Sequence, residues 1–103
     1  MSSPGPVVDN PRAGRFELTV DGHTAFAAYR LAEGSIVFTH TEVPPALRGR
    51  GVGQALARGA LEAARARGAA VVPLCPFIAG FIREHREYLA LVSEGDRRRL
   101  RLG

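Results

Sequence analysis

The chain contains no lysine; all fourteen of its basic residues are arginine. That excludes the phosphate loop of nucleotide triphosphatases, whose GxxxxGK[ST] pattern needs a lysine. The chain has one cysteine, Cys75, so no internal disulfide can form, and a reducing cytoplasm is the expected compartment. No run approaches the roughly 20 consecutive apolar residues of a membrane span. The N-terminal MSSPGPVVDNPRAG lacks the apolar stretch of a signal peptide and reads as a loose polar lead-in over residues 1–14. No His, Cys and carboxylate set shows ligand spacing, so no metal is expected.

The net charge is +4. Arginine grips phosphate well through its planar fork, but arginine without lysine beside abundant Ala and Gly is also what a GC-rich genome encodes. The RRRLR run at 97–101 is the best nucleic-acid feature. It stands without an aromatic stacking set or a reading motif, so residues 94–103 read as a solvated, frayed Arg-rich tail. Neither nucleic acid nor membrane is an expected partner.

A hydrophobic fraction of 46% over 103 residues suffices for one modest core and not for two. RFELTVD (15–21) alternates, with Phe16, Leu18 and Val20 on one side, as a half-buried strand does. Asp21-Gly22 signals a turn. TAFAAYRL (24–31) and the β-branched SIVFTHTEV (35–43) read as two more strands, separated by a turn at Glu33-Gly34. Pro44-Pro45 ends the third.

QALARGALEAARARG (54–68) reads as a helix stopped by Gly68. Val52, Leu56, Ala60 and Ala63 share its apolar face, and Arg58 and Glu62 pair at i, i+4 on the outside. AAVVPL (69–74) reads as a short buried strand and PFIAGFIREH (76–85) as a second helix. REYLALV extends that helical region. The expected fold class is α/β (α+β): one domain over residues 15–93, ordered β-β-β-α-β-α, with a mixed sheet of about four strands and helices packed on it. The strand–helix–strand unit 35–74 is a parallel crossover.

The loop LRGRGVG (47–53) joins the third strand to the first helix. Glycine allows positive φ and close backbone approach, and a helix N-terminus offers N–H groups and positive potential to an anion. Flanked by Arg48 and Arg50, Gly49, Gly51 and Gly53 describe a phosphate cradle. The alternative is a tight strand–helix connection using glycine for packing. The glycine spacing does not fit a dinucleotide fingerprint.

Arg48-x-x-Gly51-x-Gly53 at a strand–helix junction resembles the [QR]-x-x-G-x-[GA] pyrophosphate loop of the Gcn5-related N-acetyltransferases. HTEVPPALRGRGVGQAL and ARARGAAVVPLCPF are similar to a subgroup of very small YjdJ-like members, over about Phe16 to Val92. His85-Arg86-Glu87-Tyr88 resembles that subgroup's H-P-E-Y, with arginine replacing proline. The resemblance implies an N-acyltransferase that uses acetyl-CoA or another acyl-CoA as cosubstrate and an amine acceptor as partner. It implies that backbone from Arg48 through Gly49, Arg50, Gly51, Val52 and Gly53 to Gln54 holds the CoA pyrophosphate. The pantetheine arm is then expected to pair with backbone near Glu42 and Val43, with the acyl group between strands 35–43 and 69–74. Larger members carry a helical segment between their first two strands and further strands after the last helix. The acceptor site here is therefore expected to be open, completed by a partner chain, or suited to a small or extended substrate. A CoA-binding module with little transferase activity is the alternative reading.

Cys75 lies between Pro73, which belongs where strand pairing stops, and Pro76, which suits the first position of a helix. At the N-cap a thiolate is favoured, and the resemblance makes Cys75 a candidate nucleophile. The alternatives are a small buried hydrophobe or a thiol lining the pocket. His40 alternates with Ile36, Phe38 and Glu42, which makes it the histidine best placed for a general base; a satisfied strand histidine is the other reading. Glu42 acting through water has less support. His23 reads as a surface turn residue. Tyr88 reads as an anchor for the C-terminal segment, or as a proton donor to the leaving thiolate.

Overall fold

A computed structural model describes residues 6–103. Five strands form one mixed sheet in the order β1(Val8–Asn10), β2(Arg15–Val20), β3(His23–Ala32), β4(Ser35–Glu42), β5(Ala70–Pro73). The first four are antiparallel, and β5 runs parallel to β4 after the crossover through α1(Val52–Ala66). α2(Pro76–Glu84), a 3-10 stretch Arg86–Leu91 and α3(Glu94–Arg99) complete the chain.

The strands follow their side-chain patterns. Phe16 and Leu18 on β2, Ala25, Ala27 and Tyr29 on β3, and Ile36 and Phe38 on β4 are buried on one face. The Asp21-Gly22 turn has φ of 51° and 78° at its two central residues. Two positive values make it the turn whose twist matches a β-hairpin. On α1, Val52, Leu56 and Ala60 are buried as the spacing predicts. Ala64 rather than Ala63 continues the stripe, with Ala57 and Leu61 beside it. The small alanines allow α1 to lie close on the sheet.

Four features depart from the expected pattern. First, residues 8–10 of the supposed lead-in form the edge strand β1; residues 1–5 lie outside the described residues. Asp9 holds this strand down by accepting from the Tyr29 hydroxyl at 2.6 Å and from Arg67 at 2.9 Å. Val7 packs over Gly59, where any β-carbon would overlap it.

Second, residues 94–103 do not fray. Ser93 Oγ caps α3 by accepting from the Asp96 N–H at 3.2 Å. Leu102 is buried in the main core, and Arg83 donates to the Leu100 and Arg101 carbonyls at 3.0 and 3.1 Å. The arginines around Leu100 and Leu102 mask this docking in the sequence.

Third, Arg58 and Glu62 do not pair directly. The buried Tyr88 hydroxyl stands between them, accepting from Arg58 at 3.0 Å and donating to Glu62 at 2.7 Å. Burial, then the bond to Glu62, raises the Tyr88 pKa above the ordinary phenol value.

The fourth departure lies in β4. Ala28 is opposite His40 while Tyr29 is opposite Phe38, so Thr39 is the extra residue of a β-bulge. A bulge shifts the alternation by one residue. Beyond it, Thr41, opposite buried Ala27, turns to the helix side of the sheet, whereas His40 and Glu42 turn to the other.

Candidate active site

β4 and β5 separate just past the bulge. Their last parallel pair is Phe38 with Pro73. Pro73 has no N–H to offer further, so pairing ends where its position predicts. One more bond, from the Cys75 N–H to the Phe38 carbonyl at 3.0 Å, closes the junction. From Thr39 to Glu42, β4 is then paired with β3 alone, and its other backbone edge faces the opening.

A cavity of about 460 Å³ lies in that opening. One wall is the loop and first turn of α1: Arg48, Gly49, Gly51, Val52, Gly53 and Gln54. Thr41 of β4 and Val43, just past its end, form another side, and Leu47 and Phe77 add apolar surface. Gly49 and Gly51 have φ of 77° and 74°, values that ordinary residues avoid. Gly51 is the helix N-cap. It brings no side-chain cap, and no acidic residue occupies the first turn. The first-turn N–H groups of an α-helix have no partners within the helix, so this end of the cavity offers donors and positive potential to an anion. Gly53 serves differently: a β-carbon there would come within 2.8 Å of Phe77 Cζ and 3.4 Å of Val43 Cγ2.

The structure gathers most of the residues singled out by the sequence, but not all. Arg50 does not line the cavity. Its guanidinium pairs with Asp21 in the β2–β3 turn at 2.9 Å. Glu42 and His40 are exposed on the opposite face of the sheet, with His40 Nε2 3.2 Å from Glu42 Oε2. The expectation that His40 shares a face with Ile36 and Phe38 is therefore wrong. The bulge at Thr39 is the reason, and Thr41 occupies the helix-side position instead.

Cys75 is the N-cap of α2, with Pro76 at the first helical position. It is only 2% exposed. Its Sγ lies 3.1 Å from Thr41 Oγ1, so Thr41 stands between the thiol and the cavity.

Three cavity residues escape the sequence reading. Thr41 is hidden by the bulge. Leu47 sits in the short 3-10 turn Pro45–Leu47 and is buried. Phe77 carried a usable signal: it lies off the buried stripe Ile78, Ala79, Phe81 and Ile82 of α2. Tyr88, by contrast, is fully buried away from the cavity, and His85 stacks on Phe81 at 4.0 Å between centroids. Both tie α2 to the C-terminal segment.

Among the described residues no helix is long and apolar enough to cross a membrane. No curated protein gives a significant sequence match. A model of the GCN5-related N-acetyl-transferase family matches residues 15–92, from the first residue of β2 to just past the 3-10 stretch. That span includes the bulged β4, the glycine loop, the crossover and the α2 junction, and the chain belongs to the GCN5-related N-acetyltransferase family.

Proposed function

We propose that this protein transfers an acyl group, in the first instance acetyl, from acyl-CoA to an amine by direct attack of the amine on the thioester. The observation that carries the reading is the cavity itself. An uncapped helix N-terminus at Gly51 with Arg48 beside it supplies one anion-binding end. The apolar Val43, Leu47 and Phe77 line the same cavity, which reaches Thr41, past the last β4–β5 pair.

The pyrophosphate lies on the N–H groups of the 48–54 segment. Arg50, held to Asp21 by an exposed ion pair, is free to join at little cost, since such pairs contribute about 0–1 kcal/mol. Pantetheine, an extended chain with two amides, pairs with the free edge of β4 near Glu42 and Val43, as an added strand does. The acyl carbonyl then sits in the gap. The acceptor amine enters from the opposite face, where His40 and Glu42 form an exposed pair able to take its proton directly or through water.

Direct attack is favoured over an acyl-cysteine because Cys75 is buried behind Thr41 and contributes no surface to the cavity. Calorimetric titration with acetyl-CoA tests the reading first: no heat of binding at high micromolar concentration sinks it. Thiol release from acetyl-CoA in the presence of polyamines, lysine peptides and small amines then separates a transferase from a CoA-binding module. Intact mass after incubation with acetyl-CoA alone tests the route. Direct attack leaves the protein unmodified, and an acetyl group on Cys75 refutes it.

A further inference from the structure

Acyl transfer ends with a thiolate leaving the tetrahedral carbon, and that thiolate needs a proton or a strong hydrogen bond. Of the residues lining the cavity, Thr41 alone carries a hydroxyl. It lies within β4, two residues before Val43 and so further from the phosphate-binding loop, which is where the acyltransferase reading puts the thioester sulfur. Its Oγ1 is 3.1 Å from the Cys75 thiol.

We infer that Thr41 and Cys75 form a proton relay to the leaving sulfur, with Thr41 as the group that touches it and Cys75 as the donor behind. This rests on the acyltransferase reading above. A threonine hydroxyl donates one hydrogen bond and accepts two. With the Cys75 S–H donated to Thr41 Oγ1, the threonine proton is free to point into the cavity.

The step balances as follows. The acceptor starts as an ammonium; having lost one proton on the His40 side, its neutral nitrogen bonds to the acyl carbon. The carbon–sulfur bond breaks, and its electron pair goes to the CoA sulfur. That sulfur takes the Thr41 hydroxyl proton while Thr41 takes the Cys75 thiol proton. The new amide nitrogen sheds its surplus proton to solvent, and once CoA has left, the Cys75 thiolate regains a proton from cavity water through Thr41. The charge is left on Cys75, the N-cap residue of α2; its side chain makes no cap hydrogen bond, but the helix N-terminus favours a negative group nearby.

The test uses Thr41→Val, which keeps the shape and removes the hydroxyl, and Thr41→Ser, which restores it. Each is titrated calorimetrically with CoA and with desulfo-CoA, and assayed with acetyl-CoA and the best amine found for the wild type. The expected result is that wild type and Thr41→Ser prefer CoA over desulfo-CoA while Thr41→Val loses that preference. Thr41→Val also loses roughly 100-fold in kcat, the lower range for a general acid. Cys75→Ser, which keeps a donor, retains more activity than Cys75→Ala. Unchanged sulfur preference and kcat in Thr41→Val overturn the relay and leave the acyltransferase standing. An acetyl group found on Cys75 of the wild type also overturns it, in favour of a nucleophile. A wild type that binds neither CoA nor desulfo-CoA removes the acyltransferase reading itself and the relay with it.

Discussion

The Phe77 ring lies so close to Gly53 that a β-carbon on residue 53 would meet its Cζ at 2.8 Å. The ring is about one-third exposed and forms part of the cavity wall. Gly53→Ala therefore forces the ring to swing. Folding loses little, because alanine inside a helix is favoured over glycine by about 1 kcal/mol. Binding should suffer instead: acetyl-CoA affinity falls about tenfold, and a second change, Phe77→Ala, removes the clash. The two substitutions should then be non-additive by roughly 0.5–3 kcal/mol, the range seen for residues in contact. Calorimetry on the four proteins measures the coupling, and additive losses would refute the contact.

Gly51 poses the opposite case. Nothing lies within 4 Å of the position its β-carbon would take, yet its φ is 74°. Substitution there costs backbone strain alone, roughly 1–2 kcal/mol for an L-residue in the left-handed region. Asparagine, which tolerates that region, should cost less than alanine, and valine should cost most. Urea midpoints should fall in the order Gly, Asn, Ala, Val. If all four unfold together, the loop does not hold this conformation.

These two glycines show how far the sequence can be read. That the 47–53 loop meets a helix, and that its glycines matter, follows from spacing alone. Which glycine serves φ and which serves packing depends on Phe77, on another helix and 24 positions beyond Gly53, and no local pattern records it. The bulge is similar. Alternation along SIVFTHTEV assigns His40 to the core side, because nothing in that string marks Thr39 as the residue without a partner. The irregularity is settled by pairing with β3, a non-local fact. At the chain ends the limit is one of amount. Val7 and Leu102 each have one apolar companion, Val8 and Leu100, in otherwise polar stretches, too few to form a period, yet both pack on the core.

Tyr29 makes stability depend on alkaline pH. Burial, followed by its hydrogen bond to Asp9, pushes its pKa from 10.0 up to about 12. The folded state thus holds the phenolic proton more tightly than the unfolded chain. Its contribution is complete below the unfolded value and is lost progressively as pH rises toward the folded value, between about 10 and 12. Tyr29→Phe should remove this part of the slope. Urea unfolding of both proteins at pH 9, 10 and 11 gives the comparison: the gap between them should narrow as pH rises. A constant gap would mean that Tyr29 titrates as it does in the unfolded chain.

The C-terminal residues give the sharpest stability test, because charge and burial predict opposite outcomes there. If 94–103 were a solvated arginine run, Leu102→Ala would be silent. Instead Leu102 is 1% exposed and joins the core, while the neighbouring carbonyls of Leu100 and Arg101 are held by Arg83. Truncating a buried leucine costs about 2–5 kcal/mol through lost transfer energy and the cavity left behind. The control is Arg98→Ala. That side chain is 81% exposed, and its partner Glu94 is equally so. Surface changes of this kind usually stay within about 0.5 kcal/mol. Denaturant unfolding should separate the two variants clearly, with Leu102→Ala at the lower midpoint. Equal midpoints would return the segment to the surface and detach α3 from the core.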